Sequence, residues 1–434
     1  MAPTAVTPVS PPSPTLDDTS KLTKAGTENT IAKTVSNTAP TVAELDASKC
    51  TITPTLNPKR VPAPNSPEVC SQDYTSDHML TARWTEKSGW EAPEIRPYGP
   101  LSIMPTASVL HYATECFEGM KAYRGDDGKV RLFRPDRNAK RFLQSATRIA
   151  LPGFAPEEFT KLLKKFVGVE ASKWISEPGQ FIYIRPTMIA TAPALGVQKP
   201  REALMYIMMV MFPALDEPTA VPATPSSGTQ MGQEAKGAKG MRLLASKHDM
   251  IRAWPGGFGN AKVGANYGPS LVAQGEARER GYNQILWLFG EECYVTEAGG
   301  SNFFVLWINE SGKKELVTAP LGDGVILEGV TRASVLDLVR RSRPDVEVVE
   351  RKFTMDELIK AEKEGRLLEG FGAGTAFFIA PVADIHFRGT DVVFPLGKGG
   401  DAEFAMGVKK DLKDVMYGRV SHEWGVVVPE EKVY

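Results

Sequence analysis

The first 73 residues contain no Phe, Trp or Tyr, although aromatic residues make up 9% of the chain. Thr, Pro, Ala and Ser dominate the first fifty positions. Such a stretch buries too little apolar surface to offset the entropy lost on ordering, so residues 1–73 are expected to form a disordered tail. A second low-complexity patch, PALDEPTAVPATPSSGTQMGQEAKGAKG at 213–240, has four Pro, four Gly and no aromatic residue and reads as a linker. Two ordered regions remain, a smaller one at 74–212 and a larger one at 241–434. In both, short β-rich runs (VRLFRP, QFIYIRPTMI, QILWLFG, NFFVLWI) alternate with helical stretches such as PDRNAKRFLQSATRIA and ASVLDLVRR. The expected class is therefore α/β or α+β, with strands carrying most of the site residues.

Lys and Arg number 51 against 52 Asp and Glu, a formal net charge of -1. That balance supplies no field for nucleic acid or an anionic membrane, and neither is an expected partner. The longest apolar run, from Ala203 to Leu215, is too short to span a bilayer and reads as a buried strand. The four cysteines are scattered and the five histidines have no ligand spacing, so neither a disulfide framework nor a metal site is expected. The first Arg is Arg60, whereas Asp17 and Asp18 come early, unlike an Arg-rich, acid-poor transit peptide. A cytoplasmic location is expected ahead of a mitochondrial one.

Three segments carry chemistry. In WPGGFGNAKVGANYG a single lysine, Lys262, lies among five glycines, where backbone can approach a flat ligand and a lysine can act as nucleophile and proton shuttle. Taken alone, this segment is better explained by an exposed lysine on a Gly-rich loop. In YVTEAGGSNFFVLW, Glu297 ends one strand before a tight turn into the next; a buried carboxylate there could face a pyridine nitrogen, or could be an ordinary hairpin acid. In GVILEGVTRASVLDLVRR, Gly329, Val330 and Thr331 stand where a helix begins, so free N–H groups could meet a phosphate. Gly-rich GFGAGTA at 370–376 offers a second set of donors with the Thr375 hydroxyl. No GxxxxGK[ST] motif and no GxGxxG after a strand accompanies them, which argues against a nucleotide.

Together, Glu297-x-Gly-x-x-Asn302-Phe-Phe, Leu-Val-Thr318 and Leu327-x-Gly329-Val330-x-Arg332 resemble the signature of class IV pyridoxal-phosphate aminotransferases. The upstream LHYATECFEGMKAYRG, RLFRPDRNAKRF, YIRP and GNAKVGANYGPS are similar to those of branched-chain-amino-acid aminotransferases. The resemblance runs from about Asp77 to the C-terminus. It implies fold type IV, with a smaller α/β domain, an interdomain loop, and a larger domain with a barrel-like sheet. It also implies pyridoxal 5′-phosphate as cofactor, amino acids and 2-oxo acids as substrates, and a homodimer whose subunits complete each other's pockets. By position, Lys262 matches the Schiff-base lysine, Tyr267 the partner of the cofactor's phenolic oxygen, and Glu297 the partner of its pyridine nitrogen. Arg134, Val330, Thr331 and Thr375 resemble the phosphate cup. Tyr112, Phe117, Tyr183 and Arg185 resemble the substrate wall, with Ala376 beside the substrate carboxylate.

Three departures follow from the same comparison of motifs. Gly300 and Ser301 replace a Thr-Met pair, so Ser301 is the candidate for restoring a lost hydroxyl. The interdomain loop is longer than the family's usual one. Phe377 and Ala380 stand where mammalian mitochondrial relatives have a redox CxxC, so no thiol switch of that kind is expected. The implied activity is transfer of the amino group of leucine, isoleucine or valine to 2-oxoglutarate. The alternatives are a pathway-specialised transaminase acting on another aliphatic or aromatic amino acid, and a non-catalytic scaffold of the same fold.

Overall fold

A computed structural model describes residues 42–214, 240–376 and 378–431. Residues 1–41 of the expected tail, 215–239 of the expected linker, and Phe377 lie outside them. The tail expectation fails from Val42 onward. Leu45, Ala47, Cys50 and Val69 are buried in the first core, and β1 (Thr51–Ile52) pairs in parallel with a later strand. Composition misled here because a segment poor in apolar bulk can still be ordered by docking its backbone on a sheet formed elsewhere.

The first sheet comprises β1 together with β2 (Thr75–Thr85), β3 (Gly89–Trp90), β4 (Glu94–Pro97), β5 (Glu115–Phe117), β6 (Met120–Arg124), β7 (Val130–Phe133), β8 (Phe181–Ala190) and β9 (Glu202–Val210). The second comprises β10 (Met241–Ala245), β11 (Gln284–Phe289), β12 (Tyr294–Ala298), β13 (Ser301–Ile308), β14 (Lys314–Thr318), β15 (Glu347–Glu350), β16 (Leu367–Gly374), β17 (Phe378–Phe387) and β18 (Thr390–Val393). A last strand, β19 (Gly425–Val428), leaves the second region and pairs antiparallel with β7 at the edge of the first sheet. The first sheet is thus not built from residues 74–212 alone. The expected buried strand after Ala203 is β9, paired on both sides by β2 and β8.

The second sheet closes on itself. Its order runs β12-β11-β10-β17-β16-β13, and β13 pairs back to β12, making a six-stranded barrel. Closure removes the exposed edges that an open sheet would present. Strands β10 and β11 are parallel neighbours, so the chain must cross over between them, and the glycine-rich lysine segment is that crossover. It leads into α5 (Ser270–Glu279).

The other helices that bear on the site are α3 (Pro135–Arg148), α4 (Pro156–Trp174) and α6 (Val330–Ser342), taken in a series with the short α1 (Pro67–Cys70) and α2 (Val109–Tyr112). Proline at the first position and Asp136 in the first turn start α3, since proline lacks the N–H that a helix start leaves free and the Asp136 carboxylate suits the positive end of the helix dipole. One face of α3 buries Ala139, Phe142 and Ala146 in the first core, against α4.

Candidate active site

The Lys262 backbone is held on both sides. Its N–H donates to Ser145 Oγ on α3 at 2.8 Å, and its carbonyl accepts the Phe117 N–H at 3.0 Å. Two glycines in the crossover are required by close approach. A Cβ on Gly259 would collide with the Val325 carbonyl, and one on Gly264 would fall into the Glu115 carboxylate. A single 3₁₀ turn at Gly264–Asn266 folds the chain back, so Lys262 Nζ donates to Tyr267 Oη at 3.0 Å. The Phe117 ring lies beneath both, 4.6 Å from Nζ and 5.0 Å from the Tyr267 ring. Asn266 pins the turn by donating Nδ2 to the Phe258 and Ala261 carbonyls.

Glu297 lies opposite Asn302 across the β12–β13 hairpin. Asn302 Nδ2 donates to Glu297 Oε1 at 3.1 Å and to the Leu327 carbonyl at 2.9 Å, and the Leu327 N–H donates to the same Oε1 at 3.2 Å. Arg252 forms an ion pair with Oε2 and also donates to the Val325 carbonyl at 2.7 Å. Burial pushes the Glu297 carboxyl above its ordinary range, and Arg252 acts most strongly in the opposite sense. A wholly buried carboxylate is tenable here because this guanidinium faces it.

Removing that opposition has a signed consequence. In Arg252→Met the Glu297 pKa rises further, so the protonated form persists to higher pH. The acidic limb of the kcat–pH profile is expected to move to higher pH, while the Glu297→Gln profile loses that limb. An Arg252→Met profile superimposable on wild type would rule out this control.

Among the described residues, the start of α6 presents unclaimed donors. Gly329 is its N-cap with extended backbone and no capping side chain, and Val330 and Thr331 behind it are buried. A Cβ on Gly329 would collide with Asn302 Oδ1, which explains glycine at that position. Arg134, the left-handed N-cap of α3, donates Nη1 to Ser334 Oγ and to Asp337 Oδ2 of α6, each at 3.0 Å. Its side chain thus docks on α6, further along that helix than the N-terminal donors.

On the first-sheet side, Arg185 Nη2 donates to Tyr183 Oη at 2.8 Å, and its guanidinium carbon lies 4.8 Å from the Phe117 ring. Its Nε is buried without a partner among the described residues. Tyr183 stacks on Phe212 with centroids 4.5 Å apart. Ser301 opens β13 beside the turn that follows β16, since a Cβ on Gly374 would lie 2.6 Å from its Oγ. Thr375 Oγ1 in that turn donates to the Gly119 carbonyl at 3.4 Å, and the Ala376 carbonyl accepts from Lys121 at 2.9 Å.

Lys262, Tyr267 and Phe117 therefore meet directly, Phe117 carries Arg185 and Tyr183 with it, and Glu297 joins Val330 and Thr331 through Asn302 and Leu327. Tyr112 is not brought in: it is 43% exposed on α2, with its hydroxyl on the Leu195 carbonyl. GFGAGTA is not a loop of free donors. Residues up to Gly374 are in β16, paired with both β13 and β17, and Gly370 is there because a Cβ would enter the Phe394 ring. Ala380 is on β17. Arg252, Asn302 and Ser145 went unassigned from sequence. Asn302 stood inside a recognised motif, whereas an arginine ten residues before Lys262 and a serine 117 residues away carry no local signal.

The amino-transferase class IV family model matches residues 115–385. The cytosolic branched-chain-amino-acid aminotransferase of Saccharomyces cerevisiae is 44% identical over 395 residues, covering 90% of this chain and 99% of its own length. The mitochondrial branched-chain-amino-acid aminotransferase of Schizosaccharomyces pombe is 44% identical over 356 residues, 81% of this chain and 78% of its own. Among solved structures, the T.th. branched-chain amino acid aminotransferase with pyridoxamine 5′-phosphate superposes with a TM-score of 0.57 at 28% identity, covering 80% of this chain and 98% of that one. Among the described residues no helix is long and apolar enough to cross a membrane.

Proposed function

The chain belongs to the class IV aminotransferase family and is an enzyme of the branched-chain type; from this premise we propose that it transfers the amino group of L-leucine, L-isoleucine or L-valine to 2-oxoglutarate, using pyridoxal 5′-phosphate. The observation that carries the proposal is the convergence of Lys262, Tyr267 and the Phe117–Arg185 wall in one place. The residues present fit the cofactor. The uncapped α6 start with buried Val330 and Thr331 suits its phosphate, and the buried Glu297 suits its ring nitrogen. Arg134 and Thr375 complete the cup in this reading. Bound there, the cofactor supplies an electron sink that makes the substrate's Cα–H acidic.

The chain's own groups do the rest. Lys262 Nζ carries the proton between the two carbons that exchange it, and the Tyr267 hydroxyl at 3.0 Å orients that amine. Glu297, paired with the Arg252 guanidinium, would hold a proton on the ring nitrogen. Phe117 and Tyr183 give an apolar surface for a branched side chain. The same surface ends in the Arg185 guanidinium, whose buried Nε suits the distal carboxylate of 2-oxoglutarate, so one pocket serves both substrates. Ser301 and Ala376 border the end where the shared α-carboxylate is placed. The exposure of Tyr112 fits a homodimer in which it reaches the pocket of a second copy.

Steady-state rates across leucine, isoleucine, valine, phenylalanine and longer aliphatic amino acids test the proposal. The expected kcat/KM for leucine exceeds that for phenylalanine by at least about tenfold, since an unmatched ring in a fitted apolar pocket costs roughly 1–3 kcal/mol. Flat or absent activity on leucine sinks it, and a maximum elsewhere identifies a pathway-specialised enzyme widened at Gly300 and Ser301.

A further inference from the structure

One face of α3 carries a polar stripe at 138, 141 and 145, spacings of three and four that place these residues along a single line of the helix, and the N-cap Arg134 stands at its start. Polar side chains in that position are normally exposed, yet Arg134, Asn138, Arg141 and Ser145 are all buried. Every one of them reaches a part of the site that comes from elsewhere in the chain. Arg141 grips Glu118, which is 0% exposed, through Nε–Oε1 at 2.7 Å and Nη2–Oε2 at 2.8 Å, and Asn138 Nδ2 adds a bond to Oε2 at 2.8 Å. Glu118 directly follows Phe117, the residue under Lys262 and Arg185. The remaining arm of Arg141 donates to the Glu328 carbonyl at 2.9 Å, immediately before the Gly329 cap of α6. Ser145 holds the Lys262 N–H, and Arg134 holds Ser334 and Asp337.

We infer that this stripe is the positioning spine of the active site: α3 sets the substrate wall, the lysine and the phosphate-facing helix start at fixed separations, with Arg141 as its central positioning residue. The physical case is one of geometry. The substrate wall belongs to the first sheet, whereas the α6 start and the Lys262 crossover belong to the barrel. A planar guanidinium has donors in three directions and can satisfy a bidentate carboxylate and a carbonyl at once. A point-charge ammonium cannot. A buried pair of this kind contributes little net stability, so its retention is better explained by specificity of arrangement. The inference rests on the proposed function only for the identity of the cofactor.

Two variants test it, measured on the full chain. Arg141→Lys keeps the charge opposite Glu118 but cannot span to Glu328, and the dissociation constant for pyridoxal 5′-phosphate, read by absorbance titration, is expected to rise about tenfold or more. Ser145→Ala leaves all charges in place; kcat is expected to fall about tenfold with the KM for leucine within about twofold and the apo-protein melting temperature unchanged. The inference is overturned if Arg141→Lys binds the cofactor like wild type, or if Ser145→Ala lowers the melting temperature while kcat stays at the wild-type value. If wild type lacks leucine activity but Arg141→Lys still loses cofactor affinity, the substrate reading fails and the spine stands. If wild type is active and both variants match it, the spine alone fails.

Discussion

Lys262→Ala is expected to lose transamination by on the order of 10⁴-fold or more, together with the visible absorption of the lysine-tethered cofactor. In the proposed mechanism the alanine removes both the tether and the group that carries the proton. Tyr267, 3.0 Å away, loses the amine it orients. The fold is expected to survive, because the two hydrogen bonds that fix this position use the Lys262 backbone, from Ser145 and Phe117, and not its side chain. The measurements are leucine-dependent turnover, the absorbance spectrum after reconstitution, and thermal melting of the apo-protein. A variant that keeps its visible band and activity within about tenfold of wild type would exclude Lys262 from the role proposed for it.

Glu170→Ala is expected to cost about 3 kcal/mol of stability, the largest effect predicted outside the active site. Glu170 on α4 and His78 on β2 are 1% and 0% exposed. The Thr55 N–H donates to His78 Nε2 at 3.0 Å, so that nitrogen carries no proton and Nδ1–H donates to Glu170 Oε1. Oε2 accepts the Asp77 N–H at 3.0 Å. Deleting the carboxylate takes this acceptor from two buried donors, a loss of about 1–3 kcal/mol each. Glu170→Gln keeps one acceptor and is expected to cost about half as much. Urea midpoints at neutral pH measure both; equal midpoints for wild type and Glu170→Ala would show that water reaches this cluster. His78 and Asp77 also hold the backbone of Thr55 and Lys59, so the same cluster orders the segment that composition assigned to a disordered tail.

How far the chain could be read depends on how far apart the interacting groups lie. The hairpin around Glu297, the start of α6 at Val330, the strand after Ala203 and the glycine-rich lysine segment were all legible. In each, the deciding forces act within about ten residues: a turn, a helix cap, an apolar run, or close backbone approach. Motif order then identified the family and named Lys262, Tyr267 and Glu297 without any geometry.

What sequence alone left open is set by pairings across the fold. Closure of the barrel needs β12 to meet β13 and β17 to lie between β10 and β16, and the return of β19 to β7 sets Gly425 opposite Phe133. Arg252 meets Glu297, Ser145 meets Lys262, and Arg141 meets both Glu118 and Glu328, because the packing of sheets and helices makes neighbours of side chains far apart in sequence. GFGAGTA shows the same limit from the other side: its glycines suggested a loop, and two neighbouring strands made most of it a ladder. Sequence by itself determined the local elements, which follow from propensity and periodicity, and the order of its motifs placed the chain in its family. Only the tertiary structure decided which charges face one another and which backbone donors remain unclaimed, since buried hydrogen bonds and ion pairs depend on distance in space and not on distance along the chain.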